Sequence, residues 1–68
     1  MTTHLLTPRE KQIFEMLIKN QDTNMIANKL NISEKTVRNH ISNVIGKLGV
    51  KGRAQAVIEL VRMEEISL

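Results

Sequence analysis

Ser33 to Leu48, SEKTVRNHISNVIGKL, separates into two chemically distinct faces when wound at about 100° per residue. Val37, Ile41, Val44, Ile45 and Leu48 fall on one side, the spacing of a helix that lies on a core. Lys35, Arg38, Asn39, Ser42, Asn43 and Gly46 share the other, flanked by Thr36 and Lys47. Ser33 suits the N-cap, where its hydroxyl accepts from a first-turn N–H that the helix itself leaves unpaired. A face that is merely solvated normally mixes Glu with Lys, because i,i+4 pairs support a helix. Here the only acid is Glu34, in the first turn, where the helix dipole favours it. The outer face instead carries cations with short amides and hydroxyls, the groups that hydrogen-bond phosphates and base edges in a major groove. The segment reads as a recognition helix.

What precedes it supports that reading. Thr7-Pro8-Arg9-Glu10 is a strong helix start: Thr7 as N-cap, Pro8 at the first helical position, Glu10 closing a capping box. The first helix is predicted over about 8–19, with Ile13, Phe14, Leu17 and Ile18 on one apolar stripe and Met16 at its margin. Asn20-Gln21-Asp22 breaks the pattern, and Asp22 caps a short second helix over about 23–30. Asn31-Ile32 then makes a brief turn, with Ile32 directed inward. A short helix, a tight turn and a longer helix with a polar face constitute a helix-turn-helix.

Gly49 ends the third helix, since glycine tolerates the left-handed conformation that follows a C-cap. A fourth helix is predicted over about 53–65, with apolar residues spread over a wide arc. Ala56, Leu60 and Met63 can face the core with Val57 at the edge, which leaves Ala54, Ile58 and Val61 as a second stripe. In so small a protein an uncovered stripe points to a subunit contact; the alternative is that Leu5, Leu6, Ile66 or Leu68 folds back over it. The predicted architecture is all-α, four helices forming a single helix-turn-helix domain over residues 1–68.

The chain has 68 residues, no cysteine and a net charge of +3. Without cysteine there is neither a disulfide framework nor a thiolate metal site, and no apolar run is long enough to span a bilayer. The amino terminus lacks the features of a signal peptide, so a cytoplasmic location is expected. Charge is unevenly placed. Residues 33–53 hold Lys35, Arg38, Lys47, Lys51 and Arg53 against Glu34 alone, whereas residues 54–68 hold Arg62 against Glu59, Glu64 and Glu65. A polyanion partner follows from that concentration. With one Phe and no Trp or Tyr, stacking platforms for single strands are missing, so duplex DNA fits better.

At this point the sequence resembles the LuxR/GerE-type helix-turn-helix family of bacterial transcription regulators. The resemblance rests on Leu6-Thr7-Pro8-Arg9-Glu10, on Ile26-Ala27 and Leu30, and on Ile32-Ser33-Glu34-Lys35-Thr36-Val37. It continues through His40, Asn43, Lys47-Leu48-Gly49-Val50, Arg53 and Ala56-Val57, covering residues 5–66 in one register. The segments SEKTVRNHISN, KLGVKGR and RMEE resemble the spore-formation branch of that family, which implies a role at late sporulation genes. The resemblance implies that the third helix enters the major groove and that the fourth makes a homodimer through Ala54, Val57, Ile58 and Val61. It implies base-facing roles for Arg38, Asn39 and Ser42 and phosphate-facing roles for Lys35, Thr36 and Lys47, with Asn43 on the same arc. Met25 stands where the family commonly has Glu, so the second helix should lack a capping box. Gly46 replaces a long polar residue, at an expected cost of about 0.5–1 kcal/mol relative to Ala. Gly52 stands at the cap of the last helix, where Ser or Asn would serve better.

Many relatives carry this domain behind a receiver or sensing domain. None is present here, so the chain is expected either to work alone, regulated by how much is made, or to be an output domain. An enzyme is disfavoured: His40 borders the polar arc without a nucleophile or carboxylate constellation, and His4 lacks nearby metal-ligand partners. No catalytic residue, metal site, cofactor or small-molecule substrate is expected. A docking-only module would have little reason to gather cations and short amides on one helix. RNA polymerase remains an additional partner, with Glu10, Glu15 and Glu59 as acids expected on outer surfaces.

Overall fold

The computed structural model describes residues 5–67, so the readings of His4 and Leu68 fall outside it. Four helices follow one another: α1 (Pro8–Ile18), α2 (Thr23–Leu30), α3 (Glu34–Leu48) and α4 (Arg53–Arg62). Among the described residues there is no strand. The three predicted side-chain caps all form. Thr7 accepts from the Glu10 N–H at 3.1 Å while Glu10 accepts from the Thr7 N–H at 3.0 Å, completing the capping box. Asp22 accepts from Met25 at 2.8 Å and Ser33 from Thr36 at 3.0 Å. Gly52 caps α4 without a side chain; Gln55 reaches back instead and accepts from the Lys51 N–H at 2.9 Å.

Every helix is followed by a residue with positive φ: Asn20, Asn31, Gly49 and Glu64. The chain then curls back and the next N–H bonds the last free turn, as in Gln21 to Met16, Ile32 to Ala27, Val50 to Ile45 and Glu65 to Leu60. These bonds satisfy carbonyls that a helix end otherwise leaves open. At α4 this closure arrives three residues earlier than the apolar pattern predicts. Met63, expected to face the core, is consequently turned outward and half exposed. Its place is taken by Ile66, which the left-handed turn at Glu64 swings into the interior.

α3 packs against each of the other three helices. Ile13 and Phe14 from α1, Ile26 from α2, Val37 and Val44 from α3 and Leu60 from α4 are fully buried. Each such side chain contributes roughly 1.5–3 kcal/mol by leaving water. Ala27, Ile41 and Ala56 complete the centre, and Leu6 and Ile66 close it from the two ends of the chain. Leu6 and Ile66 therefore do fold back, but they join the core rather than the outer stripe of α4. Ile58 on that stripe remains 57% exposed.

Candidate nucleic-acid interface

With one face of α3 pressed onto the core, the opposite face is turned to solvent. Lys35, Arg38, Asn39, Ser42, Asn43 and Gly46 are all exposed along it, and Thr36 and His40 are half-buried at its margins. The start of the face is fixed by short polar contacts. The Ser33 and Thr36 hydroxyls share a hydrogen bond of 2.9 Å, and the Thr23 hydroxyl of α2 donates to Glu34 Oε1 at 3.1 Å. This last bond ties the scaffold helix to the first turn of α3. Glu34 also lies 3.9 Å from Arg38 Nη1, an exposed i,i+4 pair. Such a solvated pair is worth little and can be exchanged for a better partner. Beside Gly46 there is open space, for no atom lies within 4 Å of where a Cβ would stand.

Lys47 is engaged differently from the other residues read as DNA-facing. Its ammonium donates to Glu10 Oε1 at 2.6 Å and to the Leu5 carbonyl at 3.3 Å. The side chain lies along the seam between α3 and α1, on the flank of the polar arc. Glu10, read from sequence as an acid available on the outer surface, is 3% exposed. Burial pushes its carboxyl pKa up, but the hydrogen bonds from Lys47 and Thr7 and the Lys47 charge outweigh this and hold it below the ordinary value. Helical periodicity alone had no means of finding this pair, because its partners stand on different helices.

The second apolar stripe of α4 is only partly covered by the rest of the domain. Ala54 and Ile58 are exposed, while Val57 and Val61 are half-buried against the margin of the core. Glu59 on the same helix pairs with Arg62 at 3.3 Å. Among the described residues no cluster of three or more His, Cys, Asp or Glu could hold a metal ion, and no helix is long and apolar enough to cross a membrane.

Bacterial regulatory proteins of the luxR family match residues 4–60 of this sequence. The chain belongs to that family. Spore germination protein GerE of Bacillus subtilis (strain 168) is 62% identical over 64 residues, covering 94% of this chain and 86% of GerE. Transcriptional regulatory protein DegU of Brevibacillus brevis is 42% identical over 59 residues, covering 87% of this chain but 25% of DegU. The solved structure of the transcription factor GerE superposes with a TM-score of 0.93 at 57% identity, covering 96% of this chain and 97% of that one. The luxR-family chain is thus an all-α helix-turn-helix regulator and not an enzyme.

Proposed function

We propose that this luxR-family regulator binds duplex DNA sequence-specifically as a homodimer, forming one DNA-binding domain over its length. The observation that carries this is the solvent-facing side of α3, with Lys35, Arg38, Asn39, Ser42 and Asn43 exposed beside a backbone left bare at Gly46. Arg38 suits guanine O6 and N7, and Asn39 suits adenine or an adjacent phosphate. Lys35 and Thr36 lie in the N-terminal turn of α3, whose positive dipole end favours phosphate. The exposed stripe of Ala54 and Ile58, with Val57 and Val61 at its edge, is the surface for the second copy. Two α3 helices joined in that way enter successive major grooves, about 34 Å apart on one side of the duplex.

The likeness to GerE supports regulation of sporulation genes from within the cytoplasm, on the nucleoid. Glu15 and Glu59, both half-buried, remain as acids available for an RNA polymerase contact, whereas Glu10 is withdrawn from that role by burial. The test is selection from a random duplex pool at moderate salt. One enriched motif, in paired half-sites a helical turn apart, is the expected result. A pool returned without enrichment would overturn sequence-specific binding, and enrichment of single half-sites would overturn the dimer.

A further inference from the structure

We propose that Glu10, which cannot itself reach DNA, is a specificity-determining residue: it holds the Lys47 ammonium away from the phosphates and so keeps indiscriminate binding weak. The inference rests on the DNA-binding reading above and assigns Lys47 a positioning role in place of a phosphate contact. Three observations carry it. Glu10 is 3% exposed and its Oε1 lies 2.6 Å from Lys47 Nζ, a charge-assisted bond at the short end of its range. The same ammonium donates to the Leu5 carbonyl at 3.3 Å, and the Leu5 N–H donates to Glu65 Oε1 at 2.9 Å. Glu10 is itself fixed by the Thr7 N–H at 3.0 Å, within the capping box of α1.

Lys47 thus joins the C-terminal half of the recognition helix to α1 and to the segment that leads into it. Pulling the ammonium onto a phosphate would leave a buried carboxylate without its cation, which is strongly unfavourable. A phosphate contact is sequence-blind and raises affinity for every duplex alike. By neutralising one cation at the edge of the interface, Glu10 lowers that common term and leaves discrimination to Arg38 and its amide neighbours. That common term cancels in the ratio of selected to scrambled affinity, so discrimination itself is raised by the positioning: an anchored α3 presents base-reading groups in one geometry.

The test compares wild type, E10Q, K47M and the double variant E10Q/K47M for the dependence of affinity on salt, on selected and on scrambled duplexes. Gln keeps the acceptor for the Thr7 N–H, and the double variant removes both charges, so at least one variant retains the fold, checked by circular dichroism. E10Q frees the lysine and is expected to steepen the slope of log K against log salt by up to about 0.9, the value of one phosphate neutralised. The freed phosphate contact adds equally to both duplexes, so the gap between selected and scrambled duplexes is expected to narrow only through the lost anchoring of α3. E10Q/K47M is expected to return to the wild-type slope, with K47M also at that slope. A slope shallower by about 0.9 in K47M or in the double variant would make Lys47 a phosphate contact and overturn the proposal. An unchanged slope and unchanged discrimination in E10Q would overturn it equally. A wild-type protein with no duplex affinity would refute the DNA-binding reading itself, which separates the two failures.

Discussion

Glu64 occupies a conformation that its side chain disfavours. Its φ of 61° lies in the left-handed region, where a Cβ crowds the following carbonyl at roughly 1–2 kcal/mol. The conformation is imposed by what it achieves: the Glu64 N–H reaches the Val61 carbonyl at 3.0 Å, the Glu65 N–H reaches Leu60 at 2.9 Å, and Ile66 is delivered to the core. A glycine there would relieve the strain and remove a negative charge from a helix C-terminus, where the dipole disfavours it. It would also give the unfolded chain more freedom, an opposing effect of about 0.4–1 kcal/mol. Glu64→Gly is therefore expected to stabilise the protein by about 0.5–1 kcal/mol, the balance of those contributions. That corresponds to a Tm higher by several degrees in a domain of this size. A lower Tm would mean that the exposed side chain contributes more than the strain it causes.

At the scale of the element, α3 carries both the interior and the exposed polar face proposed to read DNA. Arg38 stands mid-face, exposed, with only the solvated Glu34 pair to leave behind. Arg38→Ala is expected to weaken binding to the selected site by about 1–3 kcal/mol and to relax preference at one base position. Repeating the selection with the variant measures this; an equal loss on every duplex would make Arg38 a phosphate clamp instead. Helices of this kind are legible in the sequence because their information is local. Ser33, Asp22 and Thr7 announce starts by hydroxyl or carboxylate chemistry within three residues, and the 3.6-residue period places Val37, Ile41 and Val44 on the core side. The same locality explains what could not be read. Glu10 and Lys47 lie 37 positions apart, so an acid in the first turn of a helix gave no sign of burial. Likewise, Glu64 is not a residue type that signals a left-handed turn, and so the end of α4 and the exchange of Met63 for Ile66 stayed hidden.

For the whole molecule, the unmatched surface is the outer stripe of α4. Ile58 is 57% exposed, and neither Leu6 nor Ile66 covers it. Ile58→Asp is expected to yield monomers without unfolding the domain, since no core contact is lost, and to weaken binding to paired half-sites more than to single ones. Sedimentation at matched concentrations checks the first expectation; an unchanged dimer would move the interface elsewhere. The packing of the domain around one helix has a further consequence. α1, α2 and α4 each lean mainly on α3 and only slightly on one another. Without α3 they form no residual core, and α3 alone is too short to persist in water. A peripheral helix can detach while the other two keep their contacts with α3, but α3 itself cannot open without dissolving the core. Hydrogen exchange at the central amides of α3 should then proceed only through global opening, making its exposed polar face the last part of the domain to lose its shape.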